Sequence, residues 1–399
     1  MKPLEGLRVV ELATYVAGPS CGMTLAQLGA EVIRVDPIGG APDVRRLPVD
    51  ARGNSLYWAG LNKGKQSIEV DLSSPAGQQI VIDLLTEPYP GGGILVTNAA
   101  QPWLTADALA ARPDVIQVRL LGRPDGTPAV DYTVNSEVGL PDMTGPVSHA
   151  GPVNHVLPAW DLLAGGQAAL AVLAAERVRS RTGEGQTVTL ALSDVAVAAM
   201  ANLGYVADVV VNGRARERDG NYLYGSYGVD FACSDGRRVM VVALTSRHWK
   251  NLVAMCDVEA AVASLAASLG VDFAAEETRF EYRNLLTALL DPWFKRQSFA
   301  DVCAALDKAK VLWGVYRTID EFVHDPASLL NTSPIVETVD QPRIGRYQVP
   351  VSLLRFSASE VEPPLLAPSV GEHTDAVLSS TLGLSAEAIA SLRSAGTVA

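Results

Sequence analysis

Apolar residues in the first half of the chain fall into short runs separated by stretches of helical period, the alternation expected of a parallel α/β fold. A run at 7–12 is followed by a loop at 13–19, a helix from about 20 to 28 and a second run at 32–35. Strand, helix and strand in so few residues make a βαβ unit. The pattern continues with a strand at 67–72, a helix opened by Pro75, a strand at 94–96, a helix at 104–111 and a strand at 115–120. In such a sheet ligands gather beyond the carboxyl ends of the strands, here at 15–18, 36–40, 72–73 and 98–99.

Between 122 and 158 the periodicity stops and Gly, Pro, Asp, Asn and Thr take over, which predicts a long irregular, functional loop. A helix then runs from Asp161 to about Arg181, a strand spans 186–192 and a helix spans 194–211. The charged stretch at 212–220 marks a link. Beyond it, a hairpin of 231–233 with 238–243 precedes helices at 248–255, 259–269, 279–290 and 299–306. Strands return near 335, and a last helix spans 385–395. The division expected is 1–211 and 326–399 for a large domain, 212–220 for a linker and 221–325 for a smaller α+β domain.

Composition narrows the function. With 48% hydrophobic and 19% charged residues, 34 glycines and 24 prolines, the chain suits a folded, loop-bearing enzyme and not a disordered segment. A net charge of -12 argues against nucleic acid as partner. Cys21, Cys233, Cys256 and Cys303 form no CxxC pair, so neither a metal site nor a disulfide framework is indicated, and a reducing cytoplasm is the expected compartment. Nothing in the first six residues marks export. The apolar stretches at 162–175 and 195–211 are too short or carry an acid such as Asp208, so they read as buried helices with no membrane span. A nicotinamide cofactor is disfavoured, because the first loop holds one glycine where a dinucleotide fingerprint needs three.

The candidate chemistry lies at 157–166, where Asp161 follows a proline and a tryptophan and precedes an Ala/Leu run. That places a carboxylate where irregular backbone becomes helix. Two readings are open there: a helix N-cap, which Asp often supplies, or a shielded carboxylate nucleophile.

Six segments resemble the family III CoA-transferases over essentially the whole chain: 3–11 with Ala17-Gly18-Pro19, 28–35, 62–72, the Asp161 segment, 182–188 and Gly371-Glu372-His373-Thr374-Asp375. The resemblance implies a large Rossmann-like domain with a parallel sheet built from both chain ends, a smaller domain between, and an obligate homodimer of interlocked rings. It implies Asp161 as the nucleophile that takes an acyl group and then CoA. It also implies contacts of the CoA nucleotide with Tyr15, Val16, Ala17, Val70, Leu72, Asn98 and Ala99. Where family members carry basic residues for phosphate, this chain has Pro37 and Ser73, and Arg34, Lys63, Lys65, Arg45 and Arg46 are the substitutes; Arg34 is assigned to the nucleotide site. No cofactor is implied beyond CoA itself as part of the substrate, and no metal.

Stretches around the acyl pocket, at 131–135, 139–147, 153–161 and 220–225, carry the resemblance towards members that handle branched unsaturated diacids. They imply an acyl-CoA and a small dicarboxylic acid as partners, with CoA moving from one carboxyl to the other of a single C5 diacid. Transfer to a separate acid and racemisation at the α-carbon remain alternatives. Tyr132, Asn135, His155, Tyr222 and Tyr224 are the polar candidates for the diacid. The loop at 131–158, with 222–227 over it, is expected to close the pocket, and Gly165 and Gly166 to make room beside the reacting carbonyl.

Overall fold

The computed structural model describes residues 1–360 and 362–399, which form two compact units. The first comprises Met1–Val138, His155–Asn212 and Ser333–Ala399; the second comprises Gly139–Asn154 and Gly213–Thr332.

The first unit is built on strands β1 (Arg8–Leu12), β2 (Glu31–Asp36), β3 (Gln66–Glu69), β4 (Ile94–Thr97), β5 (Ile116–Leu121) and β6 (Thr187–Ala191). All pair in parallel, in the order β3-β2-β1-β4-β5-β6. Val10, Ile33, Leu95, Ile116 and Val118 are almost wholly buried, as near-continuous apolar strands covered on both faces must be. The order reverses between β1 and β4, so the crevice beyond their carboxyl ends is the natural ligand site. The helices α1 (Ala17–Gln27), α2 (Leu56–Leu61), α3 (Pro75–Thr86), α4 (Asp131–Glu137) and α5 (Ala159–Thr182) connect the strands, and α6 (Leu192–Asn202) and α7 (Tyr205–Asn212) follow β6.

Four expectations change here. The C-terminal segment adds no strand to the parallel sheet, whose six strands all lie between Arg8 and Ala191. It closes the β3 edge with irregular backbone instead: the His373 N–H donates to the Ser67 carbonyl at 2.9 Å, and Val377, Leu378, Ile389 and Val398 complete the core around Ile68 and Val70. Residues 104–111 form turns and not a helix, because Pro113 disfavours helical backbone at Arg112 and stops propagation. The segment at 122–158 is not wholly irregular, since it contains α4. Finally, the apolar stretch at 195–211 is not one helix and is buried only in its first part, at Ala196 and Met200. It breaks by 55° at Leu203–Gly204, with Gly204 at φ 85°, and α7 has no buried residue. No single helix among the described residues is long and apolar enough to cross a membrane, although the bent pair α6–α7 has the length and composition.

The second unit has its own core around an antiparallel sheet of Tyr227–Ala232, Arg238–Ala243 and Leu312–Val315. Phe231 stacks on Phe294 with centroids 4.0 Å apart. Residues Gly139–Asn154, expected in the large domain, cluster with this unit. The Arg218 guanidinium gathers them by donating to the carbonyls of Asp142, His149 and Gly151 at 2.6–2.9 Å.

Candidate active site

The position of Asp161 follows from how α5 packs. Ala164, Gly165, Ala168, Val172 and Ala175 recur at helical spacing as a buried stripe of small residues. At Gly165 the fit is so close that a Cβ would lie 2.0 Å from Ser20 Oγ and 2.8 Å from the Ala17 carbonyl oxygen. Gly165 thus brings α5 against α1, while Gly166 meets open space. Asp161 stands one turn before Gly165 on the same face, beside the loop from β1 to α1.

Asp161 is not an N-cap. The helix begins at Ala159 after Pro158, so Asp161 is its third residue, and the capping acceptor comes from far away in the chain. Asp131 Oδ2 accepts the N–H groups of Trp160 at 2.8 Å and Asp161 at 3.2 Å. Its other oxygen lies 2.6 Å from His155 Nε2. One turn along α4, Asn135 Oδ1 accepts the Trp160 indole N–H at 3.1 Å. The Asp161 carboxylate itself has no hydrogen-bond partner among the described residues. Burial first, and the neighbouring Asp131 charge second, push it up to about 6, against the pull of Arg46. At neutral pH it is still mainly ionised, and unusually basic for a carboxylate.

A cavity of about 400 Å³ opens onto Asp161 at the β1/β4 crevice, lined by Tyr15, Val16, Ala17, Arg46, Asn98, Asp131 and Tyr132 among others. The mouth is fixed by unusual backbone. Thr14 and Asn98 bond reciprocally, N–H to Oδ1 at 3.1 Å and Nδ2 to carbonyl at 2.9 Å. Tyr15 adopts φ 69°, a region costly for a side-chain-bearing residue, and its N–H is held by Asp43 Oδ2 at 3.0 Å. The Arg46 guanidinium is over the rings of Tyr15 and Tyr57, at 5.4 and 5.0 Å from their centroids, and leaves its charge in the cavity. The first turn of α1, whose N–H groups lack acceptors within the helix, reaches the cavity at Ala17.

Of the residues expected at the nucleotide, Tyr15, Val16, Ala17 and Asn98 meet Asp161 around this cavity. Ala99 is exposed next to Asn98, Leu72 is half-buried and Val70 is wholly in the core. Arg34 is a correction. It is 0% exposed, and its guanidinium is taken by Asp36 at 2.8 Å and Asp43 at 3.1 Å, with Glu11 at 3.6 Å. An enclosed cation with three carboxylate neighbours has nothing left to offer a phosphate. Its effect is indirect, through Asp43 to the Tyr15 N–H. Lys65 is likewise bound to Glu11 at 2.8 Å, and Lys63 is buried against the Gly60 carbonyl. Arg46 is the basic substitute that faces the cavity.

Among the diacid candidates, Tyr132 lines the cavity, with its ring edge-on to His155 at 5.7 Å. Asn135 and His155 are committed to Trp160 and Asp131. Tyr222 and Tyr224 belong to the second unit, where Tyr222 Oη donates to Thr287 Oγ1 and Tyr224 packs on Phe280. Tyr227, expected in a lid, is 0% exposed in that unit's core. Residues 224–228 make an ordinary turn into the strand, closed by Leu223 N–H to the Gly228 carbonyl at 2.8 Å. Asp131 itself was not singled out by sequence. A capping acid thirty residues from its helix leaves no local pattern, and α4 itself lies in a segment with no helical apolar period.

Among the described residues, no cluster of three or more His, Cys, Asp or Glu side chains is arranged to hold a metal. The profile of CoA-transferase family III matches residues 4–374. The chain belongs to this family. Within family III, it is 48% identical to the 2-methylfumaryl-CoA isomerase of Chloroflexus aurantiacus, over 99% of this chain and 98% of that protein. It is 28% identical to the succinyl-CoA–D-citramalate CoA-transferase of the same organism, over 98% of this chain and 97% of that one. The crystal structure of a CAIB/BAIF family protein from Brucella suis aligns with a TM-score of 0.78 at 25% identity, covering 95% of this chain and 99% of that chain. Family III membership makes the chain an enzyme, and its α/β fold is shared with that structure.

Proposed function

We propose that this enzyme moves CoA between the C1 and C4 carboxyls of 2-methylfumaryl-CoA (mesaconyl-CoA), with Asp161 as nucleophile. The observation that carries the reading is a shielded, hydrogen-bond-free carboxylate in a cavity large enough for a small diacid, in a chain 48% identical to a 2-methylfumaryl-CoA isomerase. An Asp161 oxygen attacks the C1 thioester carbonyl, the C–S bond breaks, and CoA leaves as thiolate from a mixed anhydride. The thiolate attacks the aspartyl carbonyl and releases the free diacid, leaving an aspartyl-CoA thioester. The C4 carboxylate then attacks that carbonyl, the thiolate departs again, and its attack on the C4 acyl carbon regenerates the Asp161 carboxylate. No proton is gained or lost, so no general base is needed. The Ala17 N–H is the natural donor to the oxyanions, and Arg46 to an anionic group of the substrate.

The diacid held in the cavity presents its second carboxylate at the high effective concentration of an intramolecular reactant. Mesaconyl-C1-CoA should therefore isomerise with no added acid, and labelled free mesaconate should enter the product only slowly. Exchange of label as fast as isomerisation would make the enzyme an intermolecular transferase, the kind of activity named for the 28% relative. Racemisation is disfavoured because it needs a second proton carrier, and no histidine is among the residues that line the cavity.

A homodimer is part of the proposal. Leu162, Leu163, Leu170, Val197, Val206, Val209, Val210 and Val211 are exposed along α5, α6 and α7, a patch too apolar to be left in water. A second copy of the chain is the cover we assign, and light scattering should give one mass of twice 42.1 kDa across dilution. A stable monomer would remove this part. The cytoplasm suits four cysteines that are all unpaired.

A further inference from the structure

Asp131 is the least expected member of the site, and it does two things to Asp161 that are usually separate. Its carboxylate takes the first-turn N–H groups of α5, at Trp160 and at Asp161 itself. Those groups are what normally stabilise an acid at a helix start, and stabilising a carboxylate lowers its reactivity. With them already used, the Asp161 side chain keeps the helix as support and gains no hydrogen bond from it. The geometry points to Asp131 as the positioning residue of this enzyme: it fixes the backbone of the nucleophile while leaving the nucleophile's own carboxylate bare. The inference rests on Asp161 as nucleophile.

Three further contacts support it. Asp131 and Asn135, one turn apart on α4, hold Trp160 at both its main-chain N–H and its indole N–H, so the residue before the nucleophile is clamped twice. His155 Nε2, 2.6 Å from Asp131 Oδ1, occupies the remaining oxygen and orients the carboxylate. Asp131 is 2% exposed, so the arrangement is sheltered from solvent. The groups that face Asp161 are Asp131 and Tyr132 of α4, Arg46 after the short turn at Pro42–Arg45, Tyr57 of α2 and Tyr15 of the β1–α1 loop, while His155 before α5 faces Asp131. Of the charges nearest to it, Arg46 stabilises the ionised carboxylate and Asp131 opposes it.

The test compares Asp131→Asn, which keeps an acceptor oxygen and loses the charge, with Asp131→Ala, which loses both. The Asp161 carboxylate is titrated by carbon NMR in protein without substrate, and kcat and KM are measured separately. In Asp131→Asn the Asp161 midpoint should fall from about 6 by roughly half a unit or more, with kcat down about tenfold and KM for the CoA ester within about threefold. Asp131→Ala should lose more of kcat than Asp131→Asn does, because the main-chain clamp goes as well. An unmoved midpoint in Asp131→Asn overturns the inference, whatever happens to kcat. If neither variant folds, hydrogen exchange on the intact enzyme decides: the Trp160 and Asp161 amides should be protected like interior helix amides, and exchange at loop rates would overturn the clamp. Titration and exchange need no turnover. An enzyme inactive on mesaconyl-CoA would sink the proposed function and leave this test standing.

Discussion

The Asp131 carboxylate accepts the backbone N–H of Asp161 at 3.2 Å, so one acid of the cavity is tied to the main chain of the other. Two carboxyl groups in one small site thereby receive different work. One has its oxygens filled by two N–H groups and an imidazole; the other has its oxygens open to the cavity. Under the proposed mechanism, this division would leave one carboxylate as nucleophile with no base beside it.

Asp161 should oppose folding at neutral pH. Its folded value of about 6 lies above the ordinary 3.8, so the folded state binds the proton more tightly. The penalty is complete above pH about 6, shrinks as pH falls from 6 towards 4, and is gone below about 3.8, where both states are protonated. Asp161→Asn, of the same shape, should gain about 1–3 kcal/mol at pH 7.5 and almost nothing at pH 4. Chemical denaturation at the two pH values checks this; an equal gain at both would show that the charge is not the cause.

Turnover should have an acid limb set by the same group. As pH drops below about 6, kcat/KM should fall with a slope of one proton, because only the ionised carboxylate attacks. A limb near 4 would place the nucleophile elsewhere or unburied.

Replacing Asp161 by Ala should reduce isomerisation to background while circular dichroism stays that of the parent. In the parent, hydroxylamine added with the CoA ester should convert Asp161 to its hydroxamate, detectable by peptide mass. Any turnover retained by the alanine variant refutes the nucleophile.

Gly165 and Gly166 are adjacent in sequence and opposite in consequence. Gly165→Ala drives a methyl into Ser20 Oγ and the Ala17 carbonyl, and should cost about 1–3 kcal/mol with loss of activity as α5 moves off α1. Gly166→Ala meets open space within the single chain and should gain roughly 0.5–1 kcal/mol from helix propensity where that face stays open; a loss instead would fit a second copy packed on Leu162 and Leu170, one turn to either side. Melting curves of the pair separate close packing from simple helix propensity.

Arg46→Ala should lower kcat/KM by about 1–2 kcal/mol, mostly through KM, and move the acid limb upward because the cation that favours ionised Asp161 is gone. Arg46→Lys should recover the limb but only part of the KM, since an ammonium cannot lie flat over Tyr15 and Tyr57 as the guanidinium does. A salt-insensitive, unchanged KM in the alanine variant would show that no anionic group of the substrate reaches Arg46.

The sequence by itself determined the strands of the parallel sheet and marked Asp161 as the candidate for the chemistry. The runs around Val10, Ile33 and Leu95 are apolar because both faces of a parallel sheet are covered, and that constraint is local enough to read directly. Asp161 is legible because proline, tryptophan and a small-residue run surround it within ten positions. Tertiary structure alone decided which cations are free. Arg34 and Arg46 look equally available in the sequence, but Asp36 and Asp43 enclose one while two tyrosines hold the other at the cavity. It also decided that Asp131, and not Asp161, caps α5, and that Gly139–Asn154 leaves the first unit. Each depends on contacts between residues distant in the chain, where hydrogen-bond geometry and charge pairing act across space and leave no periodicity behind.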